Sequence, residues 1–152
     1  MSVVDDLREQ ISAGRIIFDP PAATSRRLER ELLGTNPGAV KVTESLQRLV
    51  LEVSRLSRIR ISDILRPGTS SHHARGRAFD VGNEEIGGTL LPLIATDARV
   101  AALDIDEIIF DARIAGEADR NKWNYDQGRR HNYSPSTLAR HGNHIHFAVR
   151  AG

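Results

Sequence analysis

Residues Ser70 to Gly82 read SSHHARGRAFDVG and place two histidines, two arginines, two glycines and one aspartate in thirteen positions. The second half, "RAFDV", has the character of a strand. With a period of two, Phe79 and Val81 fall on one face and Ala78 and Asp80 on the other. A small alanine beside an aspartate, opposite an apolar face, leaves room for something to approach the carboxylate. His73 precedes Asp80 by seven residues, with Gly76 between them. Glycine accepts the positive φ that lets a chain leave the histidine, turn and enter the strand. Taken alone, the stretch is either a solvated turn before an edge strand or half of a metal site.

A possible second half lies near the C-terminus. All six histidines sit at 72, 73, 131, 141, 144 and 146, and the last three are packed into "RHGNHIHF". In "HIHFAVR", strand geometry points His144, His146 and Ala148 one way and Ile145, Phe147 and Val149 the other. If this strand neighbours "RAFDV", His73, Asp80 and one histidine of the 144–146 pair converge. Two histidines and a carboxylate with a fourth position open is a catalytic zinc arrangement. The chain has no cysteine, so zinc would have to be held by His, Asp or Glu. Mixed nitrogen and oxygen donors also suit zinc better than magnesium or calcium, which prefer all-oxygen shells.

Around these segments the pattern is α+β. Ser2 is a candidate N-cap, with Asp5 three residues on and Val4, Leu7 and Ile11 at helical spacing. "RIIF" reads as a short strand, and a second helix from about Ser25 to Leu33 stops at Gly34. In "TESLQRLVLEVSRLS", Leu46, Leu49, Val50, Val53 and Leu56 form one apolar stripe. Strands follow at "RIRISDIL", "RAFDV", "DEIIFDA" and "HIHFAVR", with a short helix over Thr96 to Leu103. Helices first and strands later imply a small antiparallel sheet packed against N-terminal helices. The 152 residues suit one domain, in which 1–40 form a helical layer and 41–152 the catalytic core. "GEADRNKWNYDQGRRHNYSPST" (116–137) reads as a long polar surface loop.

Composition narrows the classes further. Hydrophobic residues at 39% and charged residues at 27% describe a globular chain. A formal net charge of +1 argues against a dedicated nucleic-acid binder. The N-terminus lacks the apolar run of a secretory signal, and no segment approaches the length of a membrane span. The expectation is a soluble protein, cytoplasmic as synthesised, that would need another route to any target outside the cell.

At this level of detail the chain resembles a known family. Ser71-x-His73-x-x-Gly76-x-Ala78-x-Asp80 is similar to the signature of the zinc D-alanyl-D-alanine metallopeptidases. That group includes D,D-carboxypeptidases, L-alanyl-D-glutamate endopeptidases and zinc-binding hedgehog domains. The resemblance implies a hedgehog-type fold, a Zn²⁺ cofactor held by His73, Asp80 and His146, and a peptidoglycan peptide as substrate. It also implies that Arg66 contacts the substrate, as a carboxylate or as the developing oxyanion, and that Ser71 hydrogen-bonds near the site. Many members carry a glutamate base three residues before the last ligand, where this chain has Asn143. The string His141-Gly-Asn-His144-Ile-His146 instead resembles the penicillin-insensitive murein endopeptidases. That likeness makes His144 the first candidate for acid–base work and His141 the second, with His131 a weaker third. Asn143 also keeps open an alternative, a non-catalytic zinc-binding interaction module of the hedgehog type. A two-histidine phosphoesterase pattern fits poorly, because His144 and His146 lack the serine or threonine such enzymes place two residues on, and a His-Asn-His nuclease would need a helix after its strands, where little sequence follows Phe147.

Overall fold

Capping residues set the helix boundaries. Ser2 and Asp5 form a reciprocal capping box at the start of helix α1 (Val3–Ser12), satisfying backbone donors that the helix itself leaves free. After strand β1 (Ile16–Phe18), helix α2 (Ala22–Leu33) ends at Gly34, whose φ of 76° is the left-handed cap a glycine takes readily. Thr43 caps helix α3 (Glu44–Leu56), and its stripe of Leu46, Leu49, Val50 and Val53 is fully buried. Strands β2 (Ile59–Asp63) and β3 (Ala78–Val81) follow, then helices α4 (Gly87–Ile94) and α5 (Asp97–Ala102). The remainder comprises β4 (Ile105–Ile109), β5 (Tyr125–Asp126), β6 (Arg129–Arg130), α6 (Pro135–Arg140) and β7 (Ile145–Val149). This computed structural model describes residues 2–151. Among them no helix is long and apolar enough to cross a membrane.

The architecture is α+β, built on one seven-stranded sheet in the order β1-β2-β3-β7-β4-β5-β6. It is mixed, and the expectation of a wholly antiparallel sheet is corrected at one edge. There β1 pairs parallel with β2, while the other pairs are antiparallel. The long return from β1 through α2 and α3 permits that parallel pairing. The first 40 residues are therefore more than a helical layer, since they supply an edge strand. Their Leu7, Leu28 and Leu32 belong to the same core cluster as Phe79, Ile108 and Phe147.

Residues 116–137 are not simply a surface loop. They contain the β5–β6 hairpin, and Trp123, Asn124 and Tyr125 are buried. Asn124 Oδ1 accepts a hydrogen bond from the Phe110 amide, which ties the segment to the core. The second helix starts at Ala22, ahead of the expected Ser25. Helices α4 and α6 add to the elements expected from the sequence; "GGTLLPLI" hides α4 behind two glycines and a proline.

The central pair β3–β7 sets the division of labour. Phe79 lies opposite Phe147, with rings stacked 5.2 Å apart, and Asp80 lies opposite His146. Alternation sends the phenylalanines into the core with Val81, Ile145 and Val149. It sends Asp80 and His146 to the other face. Gly76 closes the turn before β3 at φ 71°, where an added Cβ would run into the carbonyl of Lys41. The Gly76 carbonyl in turn accepts from the Thr43 amide at 3.0 Å, so the lead into α3 buttresses this turn.

Gly76→Ala should therefore lose about 2 kcal/mol or more of stability, read from the denaturant midpoint, because strain at positive φ adds to a backbone clash. Gly68→Ala is the control, with a φ of 82° but open space around it. It should lose only the strain, about 1 kcal/mol. Equal losses in the two variants would show that the packing against Lys41 is unimportant.

Candidate metal centre

His73 sits in a 3-10 turn (His72–Arg75) that the positive φ of Gly76 terminates. Its ring is buried, and its Nδ1–H donates to the Ile64 carbonyl at 2.7 Å. That bond turns Nε2 toward Asp80 Oδ1, 3.3 Å away. From the neighbouring strand, His146 Nδ1 lies 3.0 Å from the same oxygen. On its far side, His146 Nε2–H donates to Glu107 Oε1 at 2.9 Å. One donor atom from each of His73, Asp80 and His146 lies within 4.8 Å of the others, and all three residues are buried. The group could hold a metal ion. Each imidazole has its other nitrogen anchored, as metal-ligating histidines almost always do.

Glu107 was not visible in the sequence, and a bulge explains why. Strict alternation along β4 would place Ile105, Glu107 and Ile109 on one face. The register shifts between Ile105 and Glu107, so Ile105 opposes Val149 and Ile108 opposes Phe147 on the core side. Glu107 opposes Ala148 and Ile109 opposes His146 on the other side. The extra residue re-aims the acid into the pocket. It also brings two successive carboxylates to His72, with Nε2 2.7 Å from Asp106 Oδ2 and Nδ1 3.3 Å from Glu107 Oε1. His72 thus lines the pocket as the partner of these acids.

The other expected residues divide. His141 and His144 both line the pocket of about 470 Å³ above the cluster, with ring centroids 5.0 Å apart. His144 Nδ1–H donates to Asn143 Oδ1 at 2.8 Å, and its Nε2 is 3.8 Å from Asp80 Oδ2. His141 Nδ1–H donates to the Thr137 carbonyl at 2.7 Å. Each ring therefore keeps its Nε2 as an acceptor, and Asn143 orients His144. Arg66 is half-exposed, paired with Asp63, and 3.6 Å from Asp80 Oδ2. Ser71 lines the pocket, but its Oγ pairs with Thr69 Oγ1 at 2.8 Å and not with a ligand residue. His131 is exposed beside Tyr133 and takes no part.

Burial would raise the Asp80 pKa, but hydrogen bonds from His146 and His73 outweigh it and hold the carboxyl far below the usual range. Burial likewise opposes a charge on His146, yet the carboxylates of Asp80 and Glu107 push it up to about 9. His141 and His144 shift the other way, lowered chiefly by burial, so both are neutral proton acceptors at neutral pH.

Two outcomes follow from this geometry. A metal at His146 must displace the Nδ1 proton, so apparent affinity should rise about tenfold per pH unit up to about 9 and then level. Titration calorimetry in buffers of different ionisation enthalpy should detect that proton release, and a pH-independent affinity would contradict it. By the same shift, the metal-free fold has its His146 stabilisation below about 6.5 and loses it as pH rises through about 9. Glu107→Ala should weaken metal binding by about 10- to 100-fold in a chelator competition, since the Nε2 anchor is lost.

Compared with protein-family models, with curated proteins and with solved structures, the chain gave no match.

Proposed function

We propose that the chain is a zinc-dependent peptidase that hydrolyses a peptide bond in the stem peptides of bacterial peptidoglycan. One observation carries this reading: a buried His73–Asp80–His146 group faces a pocket with two further histidines whose Nε2 atoms are bare. The resemblance of Ser71-x-His73-x-x-Gly76-x-Ala78-x-Asp80 to the zinc D-alanyl-D-alanine metallopeptidases supplies the substrate class. The donor set fits zinc, being two imidazole nitrogens and one carboxylate with room beside them. When bound, zinc supplies Lewis acidity that polarises a carbonyl and acidifies water.

The chain's own residues would divide the remaining work. His144 Nε2 accepts a proton from water and returns it to the leaving amine, with Asn143 holding the ring in that tautomer. His141, held by the Thr137 carbonyl, stands beside it and stabilises charge developing over the pocket. Arg66 takes a substrate carboxylate or the oxyanion through its guanidinium fork. Because burial lowers the His144 pKa, activity should persist below pH 6.5 and fall as this ring becomes protonated.

The test is digestion of purified peptidoglycan by zinc-loaded protein, with product masses read by mass spectrometry. His144→Ala should lose about 10²- to 10⁴-fold in rate while keeping its zinc. His73→Ala and Asp80→Ala should lose the metal itself. If the zinc-loaded wild type releases no peptide, the peptidase reading is wrong, and a zinc-binding interaction module of the hedgehog type replaces it.

A further inference from the structure

A second concavity, of about 580 Å³, adjoins the metal pocket and lies between α2 and residues 36–40. Arg66 lines both spaces, so the two meet at that side chain. Arg26, Arg27 and Arg30 of α2 also line the groove, against a single acid, Glu31. Arg27 is held by Glu31 at 2.9 Å, whereas Arg26 and Arg30 have no ion-pair partner among the described residues. They are exposed and four apart on one helix face, where like charges weaken a helix. Arg30 in the last turn favours the helix dipole, but neither guanidinium is used by an acid of the fold, which leaves two cations available to a ligand.

The rest of the lining is suited to a peptide. Pro37, Val40, Leu65 and Pro67 give it an apolar floor, and Val40 is 45% exposed. Asn36 is 8% exposed; its Nδ2 donates to the Val40 carbonyl at 3.0 Å, while its Oδ1 has no partner. A buried acceptor without a donor is unfavourable. No aromatic side chain lines the groove, so it lacks the stacking platform that single-stranded nucleic acids use.

We infer that this groove binds the carboxylate-bearing part of a peptide whose scissile bond lies over the metal group, Arg26 and Arg30 pairing with its acids. This rests on the peptidase reading, since it assigns the groove to the same substrate. Binding here would supply attraction remote from the reacting bond, which an enzyme can use to orient that bond.

The test separates the two claims. Affinity of a fluorescein-labelled alanyl-D-glutamyl tetrapeptide is measured by anisotropy with zinc-loaded His144→Ala protein, with and without Arg26→Ala/Arg30→Ala. Turnover is measured separately in a His144-containing background. The arginine pair is exposed, and circular dichroism verifies that the double variant folds. Binding should weaken roughly tenfold in the double variant and further in Arg26→Glu/Arg30→Glu. It should also weaken with salt, and the fully amidated peptide should bind equally weakly to all forms. Unchanged affinity in the double variant overturns the groove assignment, even if turnover proves the peptidase reading right. Tighter binding of a DNA oligonucleotide than of the peptide also overturns it, in favour of a general polyanion site. Loss of peptide binding with the arginines, in a protein that hydrolyses nothing, keeps the groove and sinks only the peptidase reading.

Discussion

The pairing of Asp80 with His146 across β3 and β7 governs everything around it. A carboxylate buried this deeply is unstable unless charge and hydrogen bonds answer it. Here two imidazoles meet one of its oxygens, and Arg66 and His144 approach the other. The contact exists only in one register. A slip of a single residue would send Asp80 and His146 into the hydrocarbon side and the two phenylalanines to the pocket. Stacking of Phe79 on Phe147 on the opposite face opposes that slip, so the apolar core and the polar cluster enforce each other.

Much of this was legible because strand alternation is a strict rule. Placing Ala78 with Asp80 and His146 with Ala148 required only a period of two, and the structure pairs those residues directly. What escaped notice depended on departures from that rule. Glu107 is aimed by a bulge that no local pattern announces, and His72 points to the same acids because residues 72–75 form a tight helical turn. The β5–β6 hairpin was hidden for another reason. Its two-residue strands carry charge, and Tyr125 is buried through partners far away in sequence, such as Asp97 at 2.7 Å. Asn143, which looked like a lost base, is better described by what it touches, the Nδ1–H of His144.

Tautomers connect these details to chemistry. Four of the five histidines in the pocket each give one nitrogen to an anchoring acceptor: Ile64 O, Thr137 O, Asn143 Oδ1 and Glu107 Oε1. In a neutral imidazole, donation from one nitrogen makes the other an acceptor. At His141 and His144 the anchored Nδ1–H leaves Nε2 free beside Asp80, whereas at His73 and His146 the second nitrogen faces Asp80 Oδ1 at 3.3 and 3.0 Å.

Charge bears on the same point. The carboxylates of Asp63, Asp80, Asp106 and Glu107 and the guanidiniums of Arg66 and Arg140 stand around one pocket and its rim, with Arg66 paired to Asp63 and near Asp80. With the histidines neutral, four negative charges against two positive leave −2. Burial makes such an excess unfavourable in proportion to how little water reaches it. A proton on His146 offsets part of it, and the ring's own contacts with Asp80 and Glu107 push it up to about 9. A divalent cation offsets all of it and removes the need for that proton. The residue most stabilised by the proton is thus the one positioned to exchange it for a metal.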